Sequence, residues 1–540
     1  MKLSTPIARG LGMILSVLPI TGVAQTLSAE MQYLDINKIK AVHMVHGDMW
    51  YNPSTNTSDF EYPQGTGKTA SFTGGLWAVA RDVNDTLYAA ASLYRSISGV
   101  DFWPGPLNDT GYCSHATSSL WGKIWKVNQS DIATFRATST HTVATTPESI
   151  LRWPAKGNAY AQGAGGASLT ISQDMAPFVD VDADGSYDPL KGDYPRIKGD
   201  QMLWWVINDN TDMHAVSKGH AMRLEYRISA YAYNRGSAID RVLYYEYEMH
   251  NKSSVKYMDF QFGLFSDADL GCYLDDYIAF DSAHRMGIEY NATIPDCSVT
   301  YGYGDHPPMA GYTLVETPGD IYPTSMNPAG SCVVSSNFPA GPFRDPRKAS
   351  EFESYMNGKN ADGISVPGSP YEYSTANGME MCDSLIALRD RRFVISTSHN
   401  NFSPGTSMRV GVAVMLTDTL GYACGTITDF KPITDLADSV WQVYWNPLKP
   451  LSVAEIASLD GRLRIYPNPA QQSIYLSSFT GKRLDADRMQ VYDILGRRVS
   501  VQVQQQGSGL QIGVEHLASG TYQLIYQDEE KRASGSFVKQ

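Results

Sequence analysis

The 540-residue chain is predicted to be a mainly β protein: an antiparallel β-sandwich body with irregular loops, followed by a small Ig-like β-sandwich at the C-terminus. In residues 222–233 apolar side chains alternate with polar ones, which is the pattern of a half-buried strand. Similar runs at 242–249 and 258–265 are separated by turn-forming Asn, Gly and Ser residues. Helical periodicity is scarce, and short helices are expected only near 123–133 and 433–443.

The first element along the chain is an N-terminal targeting segment. Lys2 and Arg9 give it a basic start, a largely apolar run follows, and small residues end that run at Gly22 and Ala24. The run is too short to span a bilayer and remain there. We therefore expect residues 1–24 to be a cleaved signal peptide rather than a retained anchor, and the mature chain to have no transmembrane segment.

The body is expected to occupy residues 25–450, with a soft internal boundary near 155–200, where small residues are concentrated. Its later strands are predicted at 393–396 and 408–416, the second of which is an almost unbroken apolar run. A linker at 451–460 leads into the C-terminal module. Many short strands without a repeating period favour a sandwich over a solenoid or propeller.

The acidic charge of the chain is concentrated in the body. The whole chain has a formal net charge of −13, to which residues 1–24 contribute +2, residues 25–455 contribute −17 and residues 456–540 contribute +2. Such a balance argues against binding to nucleic acid or to an anionic membrane. It favours solubility and the binding of cations.

The body also holds all six cysteines, which are Cys113, Cys272, Cys297, Cys332, Cys382 and Cys424. An exported chain crosses an oxidising compartment, so their even number indicates disulfides. Free buried thiols are the alternative, because the spacings are long and irregular. No CxxC pair points to a zinc or redox site, and the eleven histidines form no convincing set of metal ligands.

The strongest chemical pattern in the body is an aspartate-rich loop that starts at Asp180. Alternating carboxylates followed by Gly185 are what a calcium loop requires, because calcium takes six to eight oxygen ligands and the glycine permits the turn around the ion. Carboxylates this close repel one another without a cation. The predicted ligands of a structural Ca²⁺ are Asp180, Asp182, Asp184, Ser186, Asp188 and Asp193.

The loop resembles the calcium loops of thrombospondin-type and dockerin-type repeats, and it departs from them at the twelfth position. Lys191 stands there in place of an acidic residue, and Asp193 is the nearest substitute. A solvated acidic turn is the alternative interpretation. A second, weaker cation group is predicted at Asp267, Asp269, Asp275, Asp276 and Asp281.

The same acidic residues allow an enzymatic alternative, because two carboxylates serve as general acid and base in a glycosidase. No GxSxG elbow, HExxH helix or P-loop occurs, and no local signature supports a cysteine protease. Abundant aromatic residues offer a second hypothesis, a glycan-stacking face, although most are expected in the core. The tryptophans considered for that face are Trp103, Trp204, Trp205, Trp441 and Trp445.

The last eighty or so residues carry the clearest signal. Four motifs occur there in order: Tyr466-Pro467-Asn468-Pro469, then Val491-Tyr492-Asp493-Ile494-Leu495-Gly496-Arg497-Arg498-Val499, then Leu517-Ala518-Ser519-Gly520-Thr521-Tyr522, and finally Phe537-Val538-Lys539. Pro-Asn-Pro excludes a helix, and the remaining runs have the two-residue period of short strands.

This ordered set resembles the C-terminal sorting domain of type IX secretion cargo over residues 461–540. The motif positions that carry the resemblance are Tyr466, Pro467, Asn468, Pro469, Asp493, Gly496, Gly520, Tyr522 and Lys539. The resemblance implies recognition by the type IX translocon, removal by a sortase-like protease, and attachment of the mature protein to anionic lipopolysaccharide. It implies a secreted or cell-surface protein that reaches the outside through the periplasm, and no catalysis by the tail.

The body resembles, more weakly, a family of large exported proteins that carry the same tail. The segments that carry this resemblance are 101–107, 124–128, 176–180, 192–195 and 390–393. The resemblance implies no particular activity. The sequence therefore predicts a calcium-stabilised binding, adhesive or structural protein of the cell surface, with a glycan as a candidate ligand. The alternative is a secreted hydrolase acting on glycans or peptides.

Overall fold

The computed structural model describes residues 31–94, 99–297, 301–322, 324–325, 330–334, 341–369, 373–384, 387–448, 463–478, 483–493, 497–527 and 532–540. The predicted signal peptide (1–24), the predicted linker (451–460) and Gly496 lie outside these residues. Across the described parts of the chain, every helix is too short or too polar to cross a membrane.

The body is built mainly from short strands. They are β1 (Met31–Leu34), β2 (Lys40–Met44), β3 (Tyr51–Asn52), β4 (Thr57–Ser58), β5 (Phe60–Glu61), β6 (Thr73–Asp82), β7 (Leu87–Ala91), β8 (Trp103–Pro104), β9 (Trp125–Asn128), β10 (Phe178–Val179), β11 (Tyr194–Pro195), β12 (Gln201–Asn208), β13 (Leu224–Ala232), β14 (Val242–Asn251), β15 (Tyr257–Ala268), β16 (Asp276–Asp281), β17 (Met286–Asn291), β18 (Ala310–Glu316), β19 (Gly330–Val334), β20 (Arg391–His399) and β21 (Ser407–Leu416).

The helices of the body are few and mostly short. They are α1 (His115–Leu120), α2 (Gln129–Ala137), α3 (Glu148–Leu151), α4 (Ala349–Met356), α5 (Glu380–Asp383) and α6 (Lys431–Trp445).

Two antiparallel sheets dominate the body. The larger has the strand order β16-β17-β18-β21-β14-β13-β12-β8, and β9 also pairs with β12. The smaller has the order β19-β20-β15-β6-β7. The predicted strands at 222–233, 242–249, 258–265, 393–396 and 408–416 are confirmed as β13, β14, β15, β20 and β21.

Aromatic side chains join the two sheets face to face. Tyr247 of β14 packs on Phe262 of β15 with ring centroids 5.2 Å apart. Phe393 of β20 contacts Tyr312 at 5.1 Å and Phe280 at 5.9 Å. These contacts make the body a β-sandwich, as predicted, and their fully buried rings dominate its core.

A helix covers the outer face of each sheet. Helix α6 places apolar residues at helical spacing, from Ile433 to Tyr444, against the larger sheet. The Trp441 indole N–H donates to Thr313 Oγ1 of β18 at 3.1 Å. On the smaller sheet, Phe352 of α4 packs edge-on against Trp77 with centroids 4.7 Å apart.

One of the two predicted helices begins later than expected. The prediction at 433–443 is confirmed by α6, whereas the prediction at 123–133 is wrong in its first half. Trp125 and Val127 are buried on one side of β9, which pairs with β12. The two-residue period therefore prevails until Asn128, and α2 starts at Gln129.

The C-terminal tail is a second, smaller β-sandwich. Its strands are β22 (Leu463–Tyr466), β23 (Ser473–Ser478), β24 (Met489–Asp493), β25 (Arg498–Val499), β26 (Gln502–Gln506), β27 (Gly509–Gly513), β28 (Gly520–Gln527) and β29 (Arg532–Lys539). They form two four-stranded sheets, β22-β23-β27-β26 and β25-β24-β28-β29. The apolar core between these sheets is a cluster separate from the core of the body.

The interlayer of the body sandwich leads to a prediction at Gly287. A Cβ added there would lie 2.6 Å from Phe393 Cε2 and 3.2 Å from Phe280 Cε1. We expect Gly287→Ala to lower the free energy of unfolding by about 1–3 kcal/mol, because the rings must shift in a packed core. Denaturant unfolding of the full chain measures the change.

The control is the double variant Gly287→Ala/Phe393→Leu. Removing the ring removes the clash, so the two substitutions should show a favourable coupling of about 0.5–3 kcal/mol. Strictly additive losses would contradict the packing described here.

Candidate functional site

The aspartate-rich loop brings three of its predicted ligands together. One carboxylate oxygen from each of Asp180, Asp182 and Asp193 lies within 4.8 Å of the others. Asp193 is fully buried and accepts the backbone N–H groups of Val181 at 2.7 Å and Asp188 at 2.8 Å. Burial raises the pKa of Asp193, while these two donors oppose the rise. The buried Oδ1 of Asp180 has no hydrogen-bond partner.

Lys191 supplies a positive charge beside the same carboxylates. Its Nζ lies 2.7 Å from Asp184 Oδ2 and 3.1 Å from Asp182 Oδ2. The hydrogen bond from Lys191 lowers the pKa of Asp184. Lys191, which departs from the calcium-loop pattern, is therefore the counter-ion of Asp182 and Asp184.

The remaining predicted ligands have other hydrogen-bond partners. The N–H of Ser186 donates to Asp184 Oδ1 at 2.8 Å, which closes the turn. Asp188 caps a short 3₁₀ turn by accepting the N–H of Leu190 at 3.0 Å. The structure therefore places Asp180, Asp182 and Asp193 in one group and uses the other three residues to shape the loop.

The second acidic group is also assembled only in part. Asp267 and Asp269, at the end of β15, lie with Asp390 within 4.8 Å of one another. Asp390 directly precedes β20, which pairs with β15, and sequence reasoning did not include it. Asp267 forms an ion pair with Arg392 at 2.8 Å. Asp276 and Glu289, both fully buried, lie beside this group.

Asp275 and Asp281 have different surroundings. Asp281 ends β16 and pairs with His284. Burial acts to raise the pKa of Asp281, but the hydrogen bond and charge of His284 outweigh it and lower the pKa. Asp275 is half-buried near Asp296, and burial raises its pKa to about 6.

Four of the six cysteines form two disulfides, Cys272–Cys297 and Cys382–Cys424. Cys113 is a free, buried thiol. The body therefore contains both disulfide-bonded cysteines and a free buried thiol, the two alternatives that the sequence left open.

Four of the tryptophans considered for a glycan-stacking face are buried in the core: Trp103, Trp204, Trp205 and Trp441. Trp445 is partly buried and stacks on Tyr322 with centroids 5.7 Å apart. These side chains stabilise the sandwich and the packing of α6.

In the tail, Asn468 fastens the last strand to the Pro-Asn-Pro segment. Its Nδ2 donates to the carbonyl of Ser536 at 3.0 Å, and its Oδ1 accepts the N–H of Val538 at 2.8 Å. Both peptide bonds that precede Pro467 and Pro469 are cis. The ring of Tyr466 is buried and stacks on Tyr475.

The other motif residues close turns and pair strands. Asp493, the last residue of β24, accepts the N–H of Arg497, the residue before β25, at 2.9 Å. The Tyr522 hydroxyl donates to the carbonyl of Ala518, four residues upstream, at 2.9 Å, as in the tyrosine corner of Ig-like sandwiches. Gly520 pairs with Lys539 at the end of the β28–β29 ladder.

The tail has a counterpart among known families. Residues 464–540 match the family model of the secretion system C-terminal sorting domain. The tail is a type IX sorting domain. In this sorting domain the motif residues Asn468, Asp493 and Tyr522 make hydrogen bonds that hold the terminal strand and other strand ends in place.

No curated protein matches the chain. A solved structure described as a polysaccharide lyase is 9% identical, with a TM-score of 0.19, and the match covers 68% of this chain and 39% of that one. A likeness this distant carries no argument about the body.

The geometry around Asn468 predicts how the sorting domain responds to substitution. We expect Asn468→Ala to destabilise β29 by about 1–2 kcal/mol, because two hydrogen bonds to its backbone are lost. Hydrogen exchange of the Val538 amide in the full chain should accelerate. The control Gln504→Ala, on the exposed strand β26, should leave that exchange rate unchanged. Equal rates in all three chains would contradict the role assigned to Asn468.

Proposed function

We propose that this chain is a type IX cargo protein whose body is a calcium-stabilised binding or structural module of the cell surface. The observation that carries the proposal is the sorting domain, which has its own two sheets and its own apolar core. A separate core supports a tail that acts as an export signal and is removed without damage to the body. Attachment to anionic lipopolysaccharide and a glycan ligand belong to the same proposal.

Export by this route is tested with a reporter. We expect residues 461–540 fused to a periplasmic reporter to carry it across the outer membrane of a host with a type IX apparatus. The full chain without these residues should stay in the periplasm. Cell fractionation and immunoblotting measure both.

The matched control is the same fusion with Asn468→Ala, which should be exported less because its terminal strand is loosened. A wild-type fusion that remains in the periplasm would overturn the proposal.

Calcium binding at the loop is supported by the donor set. Asp180, Asp182 and Asp193 offer hard oxygen ligands within one small volume, and one buried oxygen of Asp180 has no other partner. The ammonium group of Lys191 competes with a cation for Asp182. When bound, calcium would neutralise the loop and fix it ahead of β12.

We expect calcium to raise the melting temperature of the full chain, and Asp182→Asn to weaken calcium affinity by about tenfold or more. Lys191→Gln should strengthen calcium binding, because it removes the competing charge. Asp174→Asn, at an exposed carboxylate, is the control. A melting temperature that responds to Lys191→Gln but not to calcium or chelator would identify Lys191 as the resident cation and remove calcium from the loop.

A secreted hydrolase acting on glycans or peptides is the second candidate function. The half-buried Asp275, with its pKa raised to about 6, has the property that a general acid requires. Turnover of a glycan or peptide panel by the wild-type chain, abolished in Asp275→Asn, would favour the hydrolase over a binding module.

A further inference from the structure

A group of five acidic side chains lies where β15 ends and the β16–β17 hairpin begins. We call it the buried acid group. Its members are the buried Asp267, Asp276 and Glu289 and the partly buried Asp269 and Asp390. They come from four separate segments of the chain, which the sheet pairings bring together. The buried acid group is separate from the aspartate-rich loop.

Three of the five carboxylates are close enough to share one ion. An oxygen of each of Asp267, Asp269 and Asp390 lies within 4.8 Å of the others. This spacing suits oxygen ligands around a calcium ion, which binds them at about 2.3–2.6 Å. Asp267 is only 3% exposed. Asp269 keeps a buried oxygen, Oδ1, without a hydrogen-bond partner.

The other two carboxylates lie beside these three, on the β16–β17 hairpin. Asp276 Oδ2 accepts the N–H of Leu270, the residue that follows Asp269, at 3.0 Å. Glu289 lies opposite Ile278, so it shares a face of the hairpin with Asp276. Each of the two is 0% exposed, and each has one carboxylate oxygen, Asp276 Oδ1 and Glu289 Oε1, without a partner.

Several other buried aspartates of this chain have both oxygens occupied by backbone N–H groups. Asp209 accepts those of Met222 and Leu224, at 2.6 and 2.7 Å. Asp193 is anchored in the same way in the aspartate-rich loop. The buried acid group departs from this pattern, since Asp276 and Glu289 are equally buried and are only half satisfied.

Positive charge from the protein covers only part of the group. Arg392 donates to Asp267 at 2.8 Å, to Asp390 at 3.2 Å and to Asp345 at 2.9 Å. One guanidinium therefore serves three carboxylates, while Asp269, Asp276 and Glu289 repel one another. Burial raises the pKa of Asp269, and the charges of Asp267, Asp390 and Glu289 raise it further.

We propose that the buried acid group binds a divalent calcium ion, with Asp267, Asp269 and Asp390 as direct ligands and Asp276 and Glu289 completing its oxygen environment. The donors are all carboxylate oxygens, the type that hard cations prefer. Calcium suits the group better than magnesium because it tolerates an irregular shell of many oxygens. The ion would fasten the end of β15 to the β16–β17 hairpin.

The test uses the full chain and calcium chloride or a chelator. Asp269→Asn is nearly isosteric and removes one negative charge. We expect it to raise the melting temperature in chelator, because repulsion falls, and to lower it in calcium, because a ligand is lost. Asp174→Asn, which is exposed, should shift the melting temperature equally in both conditions. An equal shift for Asp269→Asn in both conditions would overturn the proposal.

Counting bound calcium after dialysis separates this site from the loop site. In the Asp182→Asn background, calcium should remain bound and should be lost on adding Glu289→Gln, which preserves the side-chain shape. An Asp182→Asn chain without bound calcium would overturn the present proposal and leave the loop site standing. A Glu289→Gln chain that loses calcium at the buried acid group and keeps it at the aspartate-rich loop would support the present proposal.

Discussion

The face-to-face packing of the two body sheets is the constraint from which the rest of the body follows. The interlayer is filled by rings such as Phe262, Phe393 and Tyr312, and a glycine is needed where Phe393 approaches Gly287. This layer is closely packed, and the hydroxyl of Tyr312 donates to the buried Glu289 at 3.2 Å. Most carboxylates of the two acidic sites lie at strand ends or in the connections, and Glu289 within β17 is the exception.

Some of the excess acidic residues of the body are buried, where their carboxylates accept backbone N–H groups. Asp101, for example, is 1% exposed and accepts the backbone N–H groups of Ala91, Val216 and Ser217, so one carboxylate orders two loops. Asp296 holds three N–H groups next to the Cys272–Cys297 disulfide. A carboxylate accepts several N–H donors at once, which makes it an efficient substitute for regular secondary structure. Net charge alone would have assigned these residues to the solvated surface.

Sequence patterns predicted the features that depend on short spacings along the chain and missed the contacts that depend on how strands pair. The predictions of the strands and of the sorting domain rest on short spacings, and the structure reproduces both. Of the six residues predicted as ligands in the aspartate-rich loop, it brings Asp180, Asp182 and Asp193 together. Asp281 follows Asp276 by five residues in one strand. Because this spacing is odd, the two side chains lie on opposite faces, and the sequence alone could have excluded Asp281 from the acidic group. Glu289 carried a weaker signal, a lone charge in an apolar strand. Asp390 carried none, because only the β15–β20 register brings it to Asp267.

The two separate cores have a consequence for the life of the chain after synthesis. Buried apolar residues of the C-terminal sandwich belong to their own cluster, and those of the body to others. Cleavage between the body and the C-terminal sandwich would expose little apolar surface on either fragment. Each fragment would keep its own unfolding transition, so the larger product should inherit the thermal and protease resistance of the precursor.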